Sequence, residues 1–67
     1  KFSYNKLWKF MIDKGINKKT LREKTEISGS TLAKLNRGEN VNTDILLLIC
    51  EVLDCNISDI MEIEKEI

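Results

Sequence analysis

Leu46, Ile49, Cys50 and Leu53 recur at i, i+3, i+4 and i+7, and no other feature of this 67-residue chain constrains its fold as strongly. That spacing puts four apolar side chains on one face of a helix. A chain this short is near the lower limit at which one apolar core suffices without staples. The stripe is therefore predicted to be the spine of a single core, in one domain spanning 1–67. There is no Pro, and the three glycines are Gly15, Gly29 and Gly38. Strand-rich small domains usually carry more turn punctuation, so the expected class is all-α.

The remaining helices are read from caps and stripes. Residues 3–14 form a first helix, with Ser3 as N-cap and Leu7, Trp8, Met11 and Ile12 at helical spacing, stopped by Gly15. Tyr4 and Trp8 belong to its core and rim. Asn17 caps a second helix, Lys18 to about Thr25, which turns Leu21 inward, and Ile27 follows in the connection. Ser28 caps a third, with Leu32 and Leu35 inside, Arg37 in its last turn and Gly38 as stop. Asn42 or Thr43 starts the fourth, which carries the apolar stripe through Leu53. Ser58 is the expected cap of a short fifth helix, with Ile57, Ile60 and Met61 closing the core. The tail, about 62–67, fits either a helix or a strand face.

Several function classes fall away. The longest apolar run, Ile45 to Cys50, is far below the ~20 residues that span a bilayer. No leader with an apolar stretch and a small-residue cleavage site is visible. Cys50 and Cys55 are the only cysteines and there is no His, so neither a zinc site nor any other metal site is expected. The cysteines read as reduced and structural, in a cytoplasmic protein. No activated nucleophile and no phosphate-cradling Gly loop is present, so no enzyme and no cofactor is expected.

Net charge is zero, but its distribution is uneven. Residues 1–38 carry ten basic and three acidic side chains, a balance of +7; residues 39–67 carry one and eight, a balance of −7. A phosphate-facing half and a neutralising half would show this asymmetry, although two differently solvated faces would show it too. The region of about 18–36 adds a sharper signal. Two short helices joined by a tight turn make a helix-turn-helix when the inner positions are apolar, as Leu21, Ile27, Leu32 and Leu35 are. The second of them must also begin small and polar to enter a major groove about 12 Å wide. Gly29, Ser30, Thr31 and Ala33 meet that requirement.

The stretch from Leu21 through Ile27-Ser-Gly-Ser-Thr-Leu-Ala-Lys-Leu-Asn-Arg-Gly38 resembles the phage repressor and Cro type of helix-turn-helix, the xenobiotic-response-element family. Leu46 to Cys55 and Ile57 to Met61 match that family's fourth and fifth helices, so the resemblance covers nearly the whole chain. It implies a compact five-helix, lambda-repressor-like domain that binds double-stranded DNA in transcriptional regulation. By position it implies that Gly29, Ser30, Thr31 and Lys34 face base edges. Lys18, Ser28, Arg37, Asn40 and Asn42 fall where the family approaches the DNA backbone. Lys34 can donate to guanine O6 and N7, and the hydroxyls to base or phosphate.

Three residues depart from the family pattern. Glu26 stands where a Gly with positive φ is common, at a cost of roughly 1–2 kcal/mol if that conformation is kept. Arg22 replaces a small residue that packs on the recognition helix, and Gly29 replaces a long base-reading side chain. Both departures imply weaker or more indirect sequence readout. Domains of this kind usually bind as homodimers, and Leu48, Ile63 and Ile67 are surplus apolar residues available for that interface. The alternative is the same fold serving as a protein-interaction module or antitoxin-like partner.

Overall fold

The computed structural model describes residues 1–65. A strand β1 (Phe2–Ser3) precedes four helices, α1 (Asn5–Lys14), α2 (Lys18–Thr25), α3 (Gly29–Asn36) and α4 (Thr43–Leu53). A 3₁₀ turn at Ile57–Asp59 and a strand β2 (Glu62–Ile63) complete the order. The expected five helices are thus four, with the fifth reduced to a single 3₁₀ turn. A two-stranded antiparallel ribbon is added, pairing Phe2 with Ile63 and Ser3 with Glu62. Two-residue strands leave no period to detect, and their partners lie 59 and 61 positions apart. The pairing is therefore a product of the tertiary fold.

Most caps are the local chemistry that the sequence predicts. Asn17 accepts from the Thr20 N–H at 2.8 Å, and Asn42, not Thr43, caps α4 by accepting from the Asp44 N–H at 2.8 Å. Gly15 ends α1 at φ 70°, in the left-handed region that glycine enters without strain. Two expected caps are corrected. Ser3 lies in β1, where its Oγ accepts from the Asn5 N–H at 3.3 Å, and Tyr4 is the residue that precedes the helix. Asn56, not Ser58, starts the 3₁₀ turn, and its N–H donates to the Asp59 carboxylate at 2.9 Å.

Leu7, Leu21, Leu35, Ile49 and Ile60 are fully buried, joined by Tyr4, Met11, Ile27, Leu46 and Leu53. The α4 stripe is the spine of this core, with Cys50 half-buried beside it. Ile12 and Ile57 are not in it. Ile12 is 76% exposed, because at 100° per residue it stands about 120° from the axis of the Leu7–Met11 stripe. Ile57 is 47% exposed, since a single turn can aim only part of itself inward. Leu48, expected on the outer side of α4, packs against the core, and Leu47 is the exposed residue at 57%. From the axis of the four-residue stripe Leu47 stands about 110° and Leu48 about 150°, so periodicity by itself would expose Leu48. Neighbouring elements cover the side that Leu48 shares with Ile45.

The tail forms β2 through Glu62–Ile63, and the Glu64 N–H donates to the Lys1 carbonyl at 2.7 Å. Ile67 lies outside the described residues. Cys50 and Cys55 are free and half-buried, and burial, followed by the neighbouring Cys50, pushes the Cys55 thiol up to about 11. At neutral pH it is a protonated packing residue with little nucleophilic character.

Candidate nucleic-acid interface

α2, the turn through Ile27, and α3 are held from three sides. Leu21 and Leu35 anchor the two helices in the core, and Ile27, 6% exposed, anchors the turn. Tyr4 donates its hydroxyl to the Glu39 carbonyl at 3.1 Å, tying the segment after α3 to the start of α1. Burial raises the Tyr4 pKa, so the phenol remains the donor at neutral pH.

The turn needs one residue in the left-handed region, and Glu26 supplies it at φ 58°. Its N–H closes α2 by donating to the Arg22 carbonyl at 2.8 Å. A non-Gly residue at this dihedral costs roughly 1–2 kcal/mol. Glu26→Gly is accordingly expected to stabilise the chain by about 1 kcal/mol, after the entropy that glycine adds to the unfolded state. A thermal melt should show this as a rise of roughly 4–8 °C.

At the start of α3 the hydroxyls form a small cluster. Ser28 Oγ accepts from the Thr31 N–H at 3.1 Å and lies 2.9 Å from Ser30 Oγ and 3.0 Å from Thr31 Oγ1. Ser28 is a helix cap first, and its remaining hydrogen-bonding capacity is shared with two of the expected base readers. Ser30, Lys34 and Arg37 recur at i, i+4 and i+7 and are all exposed, so they form one outward stripe along α3. Thr31 is half-buried at its flank.

The expected backbone contacts are more dispersed. Lys18, at the first position of α2, has its Nζ 4.5 Å from the centroid of the Trp8 ring. This cation–π contact offsets the unfavourable place of a lysine at a helix N-terminus. Arg37 caps the far end of α3 and is paired through Nε with the Glu39 carboxylate, which its guanidinium holds below the ordinary carboxylate range. Asn40 is exposed in the following loop, and the Asn42 side chain is engaged as the α4 cap. Ser28, Gly29, Ser30, Thr31 and Lys34 are thus brought together on α3, while Lys18, Asn40 and Asn42 belong to other elements.

One relation was not visible along the chain. An ideal Cβ built on Gly29 would lie 3.7 Å from Arg22 Cζ and Nη2 and 3.8 Å from Nη1. The large residue on α2 therefore fills the space beside the smallest residue on α3. The signal available in sequence was two departures of opposite volume, seven positions apart on facing helices.

Among the described residues no group of three His, Cys, Asp or Glu side chains is placed to hold a metal ion, and no helix is long and apolar enough to cross a membrane.

Comparison with known proteins agrees with this geometry. No curated protein matches the chain. A solved transcriptional regulator, VanUg (crystal form II), superposes with a TM-score of 0.89 at 52% identity, over 91% of this chain and 81% of its own. The family model of the Cro/C1-type HTH DNA-binding domain matches residues 6–66, from the second residue of α1 through β2. A cap-and-turn geometry that presents α3 outward, joined to a match of that extent, leads to one conclusion: the chain belongs to the Cro/C1-type helix-turn-helix DNA-binding domain family.

Proposed function

We propose that the chain is a transcriptional regulator that reads duplex DNA with α3 in the major groove. The observation that carries this reading is the outward stripe of Ser30, Lys34 and Arg37 on a helix whose first residues are small and whose inner face is locked by Leu35. A helix in this setting contacts base edges with its N-terminal residues, while the preceding helix crosses the backbone. Ser30, Thr31 and Lys34 are assigned to base edges, with Gly29 allowing close approach. Lys18, Ser28, Arg37, Asn40 and Asn42 are assigned to phosphates. Lys18 exchanges its Trp8 ring for phosphate, and Arg37 divides its charge between Glu39 and DNA.

One eight-residue helix reads too few base pairs to locate a site, so the proposal includes a homodimer on a two-fold operator. An open groove of about 650 Å³ supports it, lined by Phe2, Leu47, Cys50, Ile57 and Met61 among others. Phe2 and its cross-strand partner Ile63 extend this apolar surface, at 43% and 73% exposure. Leu47 takes the role expected of Leu48.

Selection from a random duplex pool by the full chain tests both parts. A palindromic product is the expected result, and an unenriched pool would favour a protein partner over an operator. On the selected site Lys34→Ala is expected to relax preference at one base-pair position by about 1–3 kcal/mol. Lys18→Ala should weaken all sequences alike. Equal, sequence-independent losses from both variants would remove α3 from base readout.

A further inference from the structure

The recognition helix begins with a residue that has no side chain, yet the space beside it is not empty. The Arg22 guanidinium occupies it, at 3.7–3.8 Å from where a Gly29 Cβ would stand. Arg22 reaches this place from α2, and its Nε donates to the Ile27 carbonyl in the intervening turn at 3.4 Å. Among the described residues the two Nη groups have no hydrogen-bond partner, and neither Glu23 nor Glu26 lies within ion-pair distance of them. Arg22 is exposed, and the Ile27 carbonyl engages only its Nε. A guanidinium held at Nε, with its Nη edge unengaged, presents the two parallel donors that match the O6 and N7 acceptors of guanine. The N-terminal end of a recognition helix is where base edges are approached.

We infer that Arg22, a residue of α2, supplies the base-reading side chain that Gly29 lacks, and recognises a guanine edge opposite the start of α3. The inference rests on the DNA-binding reading given above. Gly29 then leaves the guanidinium uncovered: a side chain there would stand in van der Waals contact with it and compete for the same base edge. A side chain from the supporting helix thereby takes over a reading position of the recognition helix.

The test compares the 67-residue chain with Arg22→Lys and Gly29→Gln on the selected operator, on its single-base variants and on random duplex. Arg22→Lys keeps the charge but removes the fork. It is expected to lose discrimination for guanine at one base-pair position by on the order of 10- to 100-fold. Random-duplex affinity and its salt slope should stay within about twofold of wild type, because the number of neutralised phosphates does not change. Gly29→Gln is expected to change preference at that same position and at no other. An unchanged preference in Arg22→Lys, a uniform loss on every sequence, or an effect of Gly29→Gln at a different base pair would each overturn the assignment. Circular-dichroism melts of both variants confirm that the fold is intact, as expected for exposed positions. If the wild-type chain binds no duplex at low salt, the DNA-binding reading fails first and takes this one with it. If wild type is selective and Arg22→Lys equally so, only the role of Arg22 fails.

Discussion

Leu21→Ala is expected to cost about 2–5 kcal/mol, more than any other single truncation discussed here. Leu21 is fully buried where α2 packs on α4, and removing three carbons there leaves a void that rigid neighbours cannot close. A domain of 67 residues has only roughly 3–10 kcal/mol of total stability. The variant should therefore melt at least about 10 °C below wild type, with a visible unfolded fraction at 37 °C. Ile12→Ala, at a residue 76% exposed, serves as the matched control and should change stability by less than about 0.5 kcal/mol. Urea unfolding followed by circular dichroism gives both numbers. A loss below about 1 kcal/mol for Leu21→Ala would mean that α2 is not anchored as described, and with it the helix pair that presents α3.

The second large effect is on binding. Raising salt from 50 to 200 mM should weaken binding to random duplex on the order of 100-fold, if about four phosphates are neutralised. The charge asymmetry motivates this figure, because ten of the eleven basic side chains lie in residues 1–38. Two carboxylates temper it: Glu26 sits on the helix-turn-helix turn, and Glu39 already pairs with Arg37. Fluorescence anisotropy of a labelled duplex, titrated at several salt concentrations, gives the slope directly. A flat slope with measurable binding would mean that the basic half is a solvated face and that phosphate contacts contribute little.

What could be read from residues alone follows a physical rule. Caps and helix stops are local: Asn17, Ser28 and Asn42 each bond an N–H two or three residues onward, so their identity and position suffice. The four-membered stripe on α4 needs only the 3.6-residue period, and it lies where that period puts it. The strain at Glu26 was legible through the family resemblance, whose pattern has a Gly with positive φ at that position.

Packing decided the rest. Helical angle sets Leu48 farther than Leu47 from the stripe, and only the covering of one side of α4 makes Leu48 core and Leu47 surface. The ribbon of Phe2 with Ile63 depends on where two distant segments of the chain arrive. For the candidate site, the sequence by itself determined the helix, its caps, its inner face and the small outer residues at its start. It showed Arg22 and Gly29 as two separate oddities on two helices. Only the tertiary structure made them one feature, because the turn through Ile27 brings the Arg22 guanidinium to 3.7–3.8 Å from where a Gly29 Cβ would stand.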